Sequence, residues 1–144
     1  IRDRLVDGYN IIFAWDELKA IAAEDVNAAR ERLVNIMSNY QGVRRCHLIL
    51  VFDAYKVKGG TGSVEKRHGI HIVYTREAET ADMYIEQASY DLSRRHRVRV
   101  ATSDGMEQMI ILGHGAERMS ATELKWEVEQ ADEHLHGIIQ NLQP

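Results

Sequence analysis

The sequence has little proline, little cysteine and no long apolar run. Its one proline, Pro144, is the last residue, so no proline marks an internal linker. The single cysteine, Cys46, excludes an intramolecular disulfide and is typical of a reducing compartment. No apolar run approaches the roughly 20 residues of a membrane-spanning helix. We therefore expect no membrane association and no disulfide partner. We expect no signal peptide either, and the first residue, Ile1, suggests a trimmed start.

Length and composition predict one globular domain over residues 1–144. Hydrophobic residues make up 44% of the 144 residues and charged residues 28%, a balance typical of folded domains. The only glycine-dense stretch, Lys58 to Ser63, is too short to separate two domains. Eighteen Lys and Arg against 22 Asp and Glu give a net charge of −4. This charge argues against a protein that coats nucleic acid through charge alone, but not against a nuclease that gathers carboxylates around a cation.

Short apolar runs alternate with longer amphipathic segments, which predicts an α/β fold with a mainly parallel sheet. Predicted strands contain Leu5–Val6, His47–Phe52, Ile70–Tyr74 and Val98–Thr102, with a brief fifth strand at Ala116–Met119. Predicted helices begin at the capping residues Asp25, Thr80 and Ser120, and a short one runs from Asp104 through Leu112. We interpret residues 11–23 as a loop followed by a short helix, and residues 55–68 as an exposed loop.

Acidic residues follow the predicted strands. Asp7, Asp53 and Asp104 each come at or directly after a strand end, and Glu79 and Asp82 follow the third strand by a few residues. The carboxyl ends of parallel strands share one edge of the sheet, so we expect these side chains to converge there. Carboxylate clusters bind hard cations such as Mg²⁺ and Mn²⁺, which can activate water for phosphodiester hydrolysis. No G-x-S-x-G turn and no metal-spaced cysteine cluster offers another chemistry.

Each acid also has a simpler interpretation. Asp104 could cap a helix, Asp82 could interact with a helix dipole, Glu79 could be solvated in a loop and Asp53 could merely end its strand. Asp7 is harder to explain in this way, because the flanking apolar residues predict partial burial and a buried carboxylate needs a partner. The metal-site hypothesis therefore depends on the five acids together.

Several motifs resemble those of a known nuclease family. Leu5-Val6-Asp7-Gly8-Tyr9-Asn10 is similar to the opening motif of NYN domains, a branch of the PIN-like superfamily. The YacP-like family is indicated by Val51-Phe52-Asp53-Ala54-Tyr55, Glu79-Thr80-Ala81-Asp82, Thr102-Ser103-Asp104 and Ser120-Ala121-x-Glu123-Leu124. These motifs occur in the expected order over roughly residues 3–142.

The resemblance implies a PIN-like three-layer α/β/α sandwich around a central sheet of about four to five strands. It also implies a divalent-metal endoribonuclease, bacterial and cytoplasmic or in the plastid stroma, that associates with the ribosome and cuts translated mRNA. Asp7, Asp82 and Asp104 match the acidic core of the superfamily, and Asp53 and Glu79 match positions of the branch. Asn10 matches the motif asparagine, which could bind a carboxylate or phosphate, or only hold its own backbone.

Basic residues form two groups in the sequence. Lys56, Lys58, Lys66 and Arg67 belong to the predicted loop after the second strand, beside the acids, where they could grip RNA. Arg44, Arg45, Arg94, Arg95 and Arg97 lie close before strands and are predicted at the opposite edge. There they either interact with helix dipoles and solvent or form a distal contact with ribosomal RNA.

Two other functions compete with the nuclease. A receiver-like signalling domain would explain Asp53 after a buried strand, but no acidic pair follows the first strand and the expected lysine is missing. An RNA- or ribosome-binding module that has lost catalysis would keep the fold, although the intact acids argue against it.

Overall fold

The computed structural model describes residues 2–53, 61–76, 78–103, 105 and 115–142. Among these residues no helix is both long and apolar enough to cross a membrane. They form six strands and five helices. In chain order these are β1 (Arg2–Asp7), α1 (Gly8–Ala14), α2 (Asp16–Glu24), α3 (Val26–Arg44), β2 (His47–Phe52), β3 (Thr61–Arg67), β4 (Ile70–Arg76), α4 (Ala81–Ser93), β5 (Arg97–Ala101), β6 (Glu117–Met119) and α5 (Ala121–Leu142).

The six strands form one mixed sheet in the order β3-β4-β2-β1-β5-β6. β1 lies between β2 and β5 and pairs with both in parallel. β4 and β6 extend the parallel set on either side, and only the edge strand β3 is antiparallel. The predicted α/β fold with a mainly parallel sheet is therefore confirmed, with one strand more than expected.

The sheet is covered on both faces, which gives the three layers that the resemblance implies. Alternate residues of each strand point to opposite faces. Val6, Leu50 and Ala101 join a large core with α1, α2, α3 and α5. Leu5 and Val51 join a smaller core beneath α4. Coverage of both faces explains why β2 appears in the sequence as a continuous apolar run.

Helix starts follow the predicted capping residues. The Asp25 carboxylate accepts a hydrogen bond from the Asn27 amide at 2.9 Å, and the Thr80 hydroxyl accepts one from the Met83 amide at 3.1 Å. Ser120 accepts from the Glu123 amide at 3.1 Å. Each cap satisfies an amide that has no partner within its own helix, so these three boundaries are local in origin.

The predicted loop over residues 55–68 is wrong for residues 61–67, which form β3. β3 and β4 make a hairpin in which Lys66 pairs with His71 and Arg67 with Ile70. The two turn residues, His68 and Gly69, have φ of 48° and 84°, as a type I′ turn requires. This turn directs the pairing of β3 with β4. His-Gly is a weaker sequence signal for a β-hairpin than Asn-Gly, so the hairpin was not predicted.

The predicted loop at the start of residues 11–23 is also wrong. α1 begins at Gly8, directly after β1, and α2 follows after Trp15 alone. The hydrophobic residues Ile11 and Ile12, interpreted as part of a loop, are fully buried in the large core. The short helix predicted after Asp104 lies outside the described residues.

The two tryptophans allow a test of how α5 is attached. The buried Trp15 indole donates to the Ala121 carbonyl at 2.8 Å, where α5 begins, whereas Trp126 is 61% exposed. We expect Trp15→Phe to lower the free energy of unfolding by about 1–2 kcal/mol, since it removes a buried hydrogen bond and some packing. Trp126→Phe is the matched control and should leave the urea midpoint unchanged. Equal effects of the two substitutions would contradict the proposed attachment.

The hydrogen bond of the Tyr40 hydroxyl leads us to expect that the free energy of unfolding falls at alkaline pH. Its buried hydroxyl donates to Glu127 Oε2 at 2.6 Å, and burial followed by this bond raises the pKa of Tyr40 to about 12. A raised pKa in the folded state means that the stabilisation is complete below pH 10 and is lost as the pH rises towards 12. Urea unfolding should therefore show wild type more stable than Tyr40→Phe at pH 8, with the difference shrinking above pH 10. A difference that stays constant to pH 11.5 would contradict this.

Candidate active site

Asp7 ends the central strand β1 at its carboxyl edge. Its side chain is only 7% exposed, and the Thr102 hydroxyl donates to Asp7 Oδ2 at 3.4 Å. Asp7 is also the residue before α1, but its side chain makes no capping hydrogen bond to that helix. The carboxylate thus accepts from Thr102, the residue directly after the neighbouring strand β5, and does not cap α1.

Gly8 allows the backbone after Asp7 to pack closely against β2. A Cβ atom at this position would lie 2.3 Å and 2.6 Å from ring atoms of Phe52 and 2.9 Å from the Val51 carbonyl oxygen. Tyr9 packs edge-on against the same Phe52 ring, with centroids 5.1 Å apart. The Tyr9 hydroxyl accepts a hydrogen bond from Arg30 at 2.9 Å. The Asp-Gly-Tyr sequence therefore fixes the turn from β1 into α1 through tertiary contacts.

Asn10 connects α1 to the segment that follows β5. Its Oδ1 accepts hydrogen bonds from the Ser103 amide at 2.6 Å and from the Ser103 hydroxyl at 2.8 Å. This contact joins positions 93 residues apart, so Asn10 holds a distant backbone segment rather than its own. The segment leads directly to residue 104.

Asp53 follows β2 at the same edge. It is half-buried, and its Oδ1 accepts a hydrogen bond from the Ala81 amide at 2.7 Å, at the start of α4. Asp53 therefore ties the end of β2 to α4 as well as facing solvent. The simple interpretation, that it only ends a strand, does not account for this contact.

Asp7, Asn10 and Asp53 line one open cleft of about 360 Å³. Tyr9, Phe13, Ala14 and Ser103 complete its walls. The polar side chains of the cleft carry carboxylate, amide and hydroxyl oxygen atoms, the donor type that hard cations prefer. The structure thus brings the carboxylates of two strand ends to one cleft.

The other described acids lie differently. Glu79 is half-buried and lines a neighbouring cleft of about 480 Å³ with Tyr74, Arg76 and Tyr84. Asp82 is exposed in the first turn of α4. Within the described ranges, no group of three or more His, Cys, Asp or Glu side chains is placed to hold a metal ion. Asp104, the third acid of the expected core, lies outside those ranges, as do Lys56 and Lys58.

The expectation that Lys66 and Arg67 lie beside the acids is wrong. Their hairpin partners, His71 and Ile70, begin β4, so both residues lie at the amino edge of the parallel strands. Arg67 also pairs with Glu31 of α3 at 3.0 Å, and this bond lowers the pKa of Glu31. The antiparallel course of β3 carries the end of this segment away from the cleft.

The second arginine group lies where the sequence predicts it, at the amino edge. Arg44 ends α3, Arg45 follows in a left-handed conformation, and Arg94 follows α4 with its guanidinium 5.7 Å from the Tyr90 ring. Arg95 comes next, and Arg97 opens β5 and pairs with Glu117 at 3.2 Å. Contact with ribosomal RNA stays a prediction for these residues.

Thr102 and Ser103 were not among the predicted site residues, although both contact predicted ones. The sequence does contain a signal for these two site residues, because two hydroxyl side chains stand between the end of β5 and Asp104. A buried carboxylate at a neighbouring strand end requires such hydrogen-bond donors.

Comparison with known proteins agrees with this architecture. The sequence pattern of the YacP-like NYN domain matches residues 4–143. The chain belongs to the YacP-like NYN family. The Bacillus subtilis (strain 168) protein described as uncharacterized protein YacP is 40% identical over 142 residues, which are 96% of this chain and 81% of that protein.

Two crystal structures of Rae1 (YacP) from Bacillus subtilis are similar to this fold. The W164L mutant gives a TM-score of 0.85 at 36% identity, over 99% of this chain and 84% of that one. A second Rae1 structure gives 0.84 at 38% identity, over 99% and 82%. Membership of the YacP-like NYN family supports a nuclease-type function for the chain.

The turn after Asp7 can be tested through its glycine. We expect Gly8→Ala to lower the free energy of unfolding by about 1–3 kcal/mol, because the new methyl group would overlap the Phe52 ring and the Val51 carbonyl. Gly42→Ala is the matched control, since nothing lies within 4 Å of a Cβ there in α3. It should stabilise the protein by about 0.5–1 kcal/mol. Urea unfolding measures both, and a neutral Gly8→Ala would contradict the close approach.

Proposed function

We propose that this protein is a divalent-metal-dependent endoribonuclease that hydrolyses RNA phosphodiester bonds. The observation that carries the proposal is the buried Asp7 carboxylate, which shares an open cleft with Asp53 at the carboxyl edge of the parallel sheet. Ligands of open α/β sheets bind at this edge. Family membership supports a nuclease-type function independently of this geometry.

The donor set fits Mg²⁺ or Mn²⁺. Mg²⁺ is commonly held by one or two carboxylates together with water and substrate phosphate, so it does not require an all-protein cage. Asp7 would hold the ion, with Asp53 completing the shell. In this proposal Asp104 also ligates the ion directly, and Asp82 does so directly or through water. Glu79 completes the shell or binds a second ion.

The residues of the cleft orient the Asp7 carboxylate, the Ser103 backbone and the substrate phosphate. Thr102 keeps one oxygen of Asp7 in place, and Asn10 holds the backbone of Ser103. Among the described residues the Asn10 side-chain NH₂ group donates to none, so it can donate to a phosphate oxygen. A bound divalent ion supplies the chemistry, since it lowers the pKa of water and offsets charge on the leaving oxygen.

The finer features of the proposal follow the family resemblance. The substrate is mRNA and the enzyme works in association with the ribosome, in a bacterial cytoplasm or a plastid stroma. The arginines at the amino edge would then contact ribosomal RNA, well away from the cleft. Lys56 and Lys58 remain candidates for gripping the substrate strand.

Substitution of Asp7 tests the proposal. We expect Asp7→Asn to reduce RNA cleavage in Mg²⁺ or Mn²⁺ by at least about 100-fold, because an amide is a poor ligand for these ions. The neutral side chain can still accept from Thr102, so the melting temperature should change little. Gel analysis of a labelled RNA, with and without ribosomes, measures the rate.

Asp16→Asn is the matched control, since Asp16 is an exposed carboxylate in the first turn of α2. It should cleave as wild type does, and EDTA should abolish all cleavage. Equal cleavage by Asp7→Asn and wild type would contradict the assigned site.

Absence of cleavage under every condition, with phosphorylation of Asp53 by a small phosphodonor, would favour the receiver-like alternative. RNA or ribosome binding without cleavage would favour the inactive module.

A further inference from the structure

A second, smaller cavity lies at the amino edge of the sheet, opposite the candidate active site. It has a volume of about 290 Å³ and is lined by Arg2, Arg4, Arg97, Arg99, Glu117 and Glu127. We call these six residues the arginine pocket. Glu127 comes from α5, so the pocket opens on the face of the sheet that carries the large core.

The pocket results from the register of two parallel strands. Arginines alternate at positions 2 and 4 of β1 and at positions 97 and 99 of β5. Arg2 pairs with Arg97 and Arg4 with Arg99, so all four side chains point to one face. Like charges directly beside one another destabilise a sheet. An arrangement of four guanidinium groups therefore requires compensating negative charge.

The two carboxylates compensate only half of this charge. Glu117 accepts from Arg99 at 3.0 Å and from Arg97 at 3.2 Å, and Arg99 also pairs with Glu127 at 3.3 Å. The hydrogen bond from Arg99, followed by that from Arg97, lowers the pKa of the Glu117 carboxyl. Four guanidinium groups thus face two carboxylates, which leaves an excess of two positive charges.

The excess lies on Arg2 and Arg4. Arg4 is only 8% exposed, and its Nε has no hydrogen-bond partner among the described residues. Its one hydrogen bond to β1 goes to the Asp3 carbonyl, at 3.3 Å. The Asp3 carboxylate points to the opposite face, where it contacts His96 at 2.5 Å, so it does not balance Arg4. The Arg4 guanidinium therefore has acceptors for some of its N–H groups, but its buried Nε lacks one.

We propose that the arginine pocket binds a phosphate group that carries two negative charges. Two such charges match the excess, and guanidinium groups bind phosphate oxygens through paired N–H donors. Every residue that the structure describes in the lining is charged, and none is aromatic. The pocket therefore has no surface on which a base could stack, and it recognises the phosphate rather than a nucleoside.

The phosphate could come from inorganic phosphate or from the terminal phosphate of an RNA chain, and the two sources share this chemistry. An internal phosphodiester of RNA carries only one negative charge. The site is separate from the cleft of Asp7, so it does not depend on the proposed nuclease activity. It shares Arg97 with the predicted ribosomal contact of Arg44, Arg45, Arg94, Arg95 and Arg97. Its central residues, Arg2 and Arg4, belong to β1 and are not part of that contact.

Titration with inorganic phosphate, followed by NMR of backbone amide and arginine Nε–H signals, tests the proposal. Sodium chloride at the same ionic strength and pH is the reference. We expect saturable shifts for the signals of Arg4 and Arg99 in phosphate, and none in chloride. Arg2→Gln and Arg4→Gln should each weaken phosphate binding by about tenfold or more, since each removes a charge-assisted bond.

Arg32→Gln is the control with the same change of charge, because Arg32 is exposed on α3 and pairs with Glu17. It should bind phosphate as wild type does. If Arg4→Gln fails to fold, Arg2→Gln still decides the question because Arg2 is exposed. A single-stranded oligoribonucleotide with a 5′-terminal phosphate, added to Asp7→Asn protein in EDTA, forms the second arm of the test. Saturation of the same signals by the oligonucleotide and not by free phosphate would identify RNA as the source.

Three results would overturn the proposal. The first is an equal response to chloride and phosphate together with no saturable response to the oligonucleotide. The second is a shift that stays linear to high concentration with both phosphate and the oligonucleotide. The third is phosphate binding that both Arg2→Gln and Arg4→Gln leave intact.

Discussion

The position of β1 between β2 and β5 determines most of what this protein can do. β1 is hydrogen-bonded on both sides in parallel, with Asp7 beside Val51 and Val6 beside Ala101. This register brings the end of β1 to the same edge as the ends of its neighbours, where Asp53 and Thr102 follow. A shift of one residue would turn every side chain of β1 to the other face of the sheet.

The same register places the Asp7 carboxylate and the guanidinium groups of Arg2 and Arg4 at opposite ends of β1. Its carboxyl edge presents the carboxylates of the cleft, and its amino edge presents the arginine pocket. The first is suited to a cation and the second to an anion, so one strand carries two sites of complementary chemistry. A net charge of −4 over the whole chain conceals this separation.

The parts predicted correctly from the sequence are those with local causes. The caps at Asp25, Thr80 and Ser120 act within three residues, and the apolar run of β2 reports burial on both faces. The loop predicted over residues 55–68 failed because β3 is an edge strand, where polar residues are common and periodicity is weak. Its pairing with β4 is directed by the turn at His68–Gly69, and Lys66 and Arg67 were misplaced as a consequence.

The sequence by itself determined the fold class, the family and the acids at strand ends, because each is written in short patterns of neighbouring residues. Only the tertiary structure decided which polar groups meet. The bond from Ser103 to Asn10 spans 93 positions, and the approach of Gly8 to Phe52 depends on β1 lying beside β2. The four arginines likewise form one pocket only through strand register. Such contacts depend on the path of the chain between the residues, which no local pattern contains.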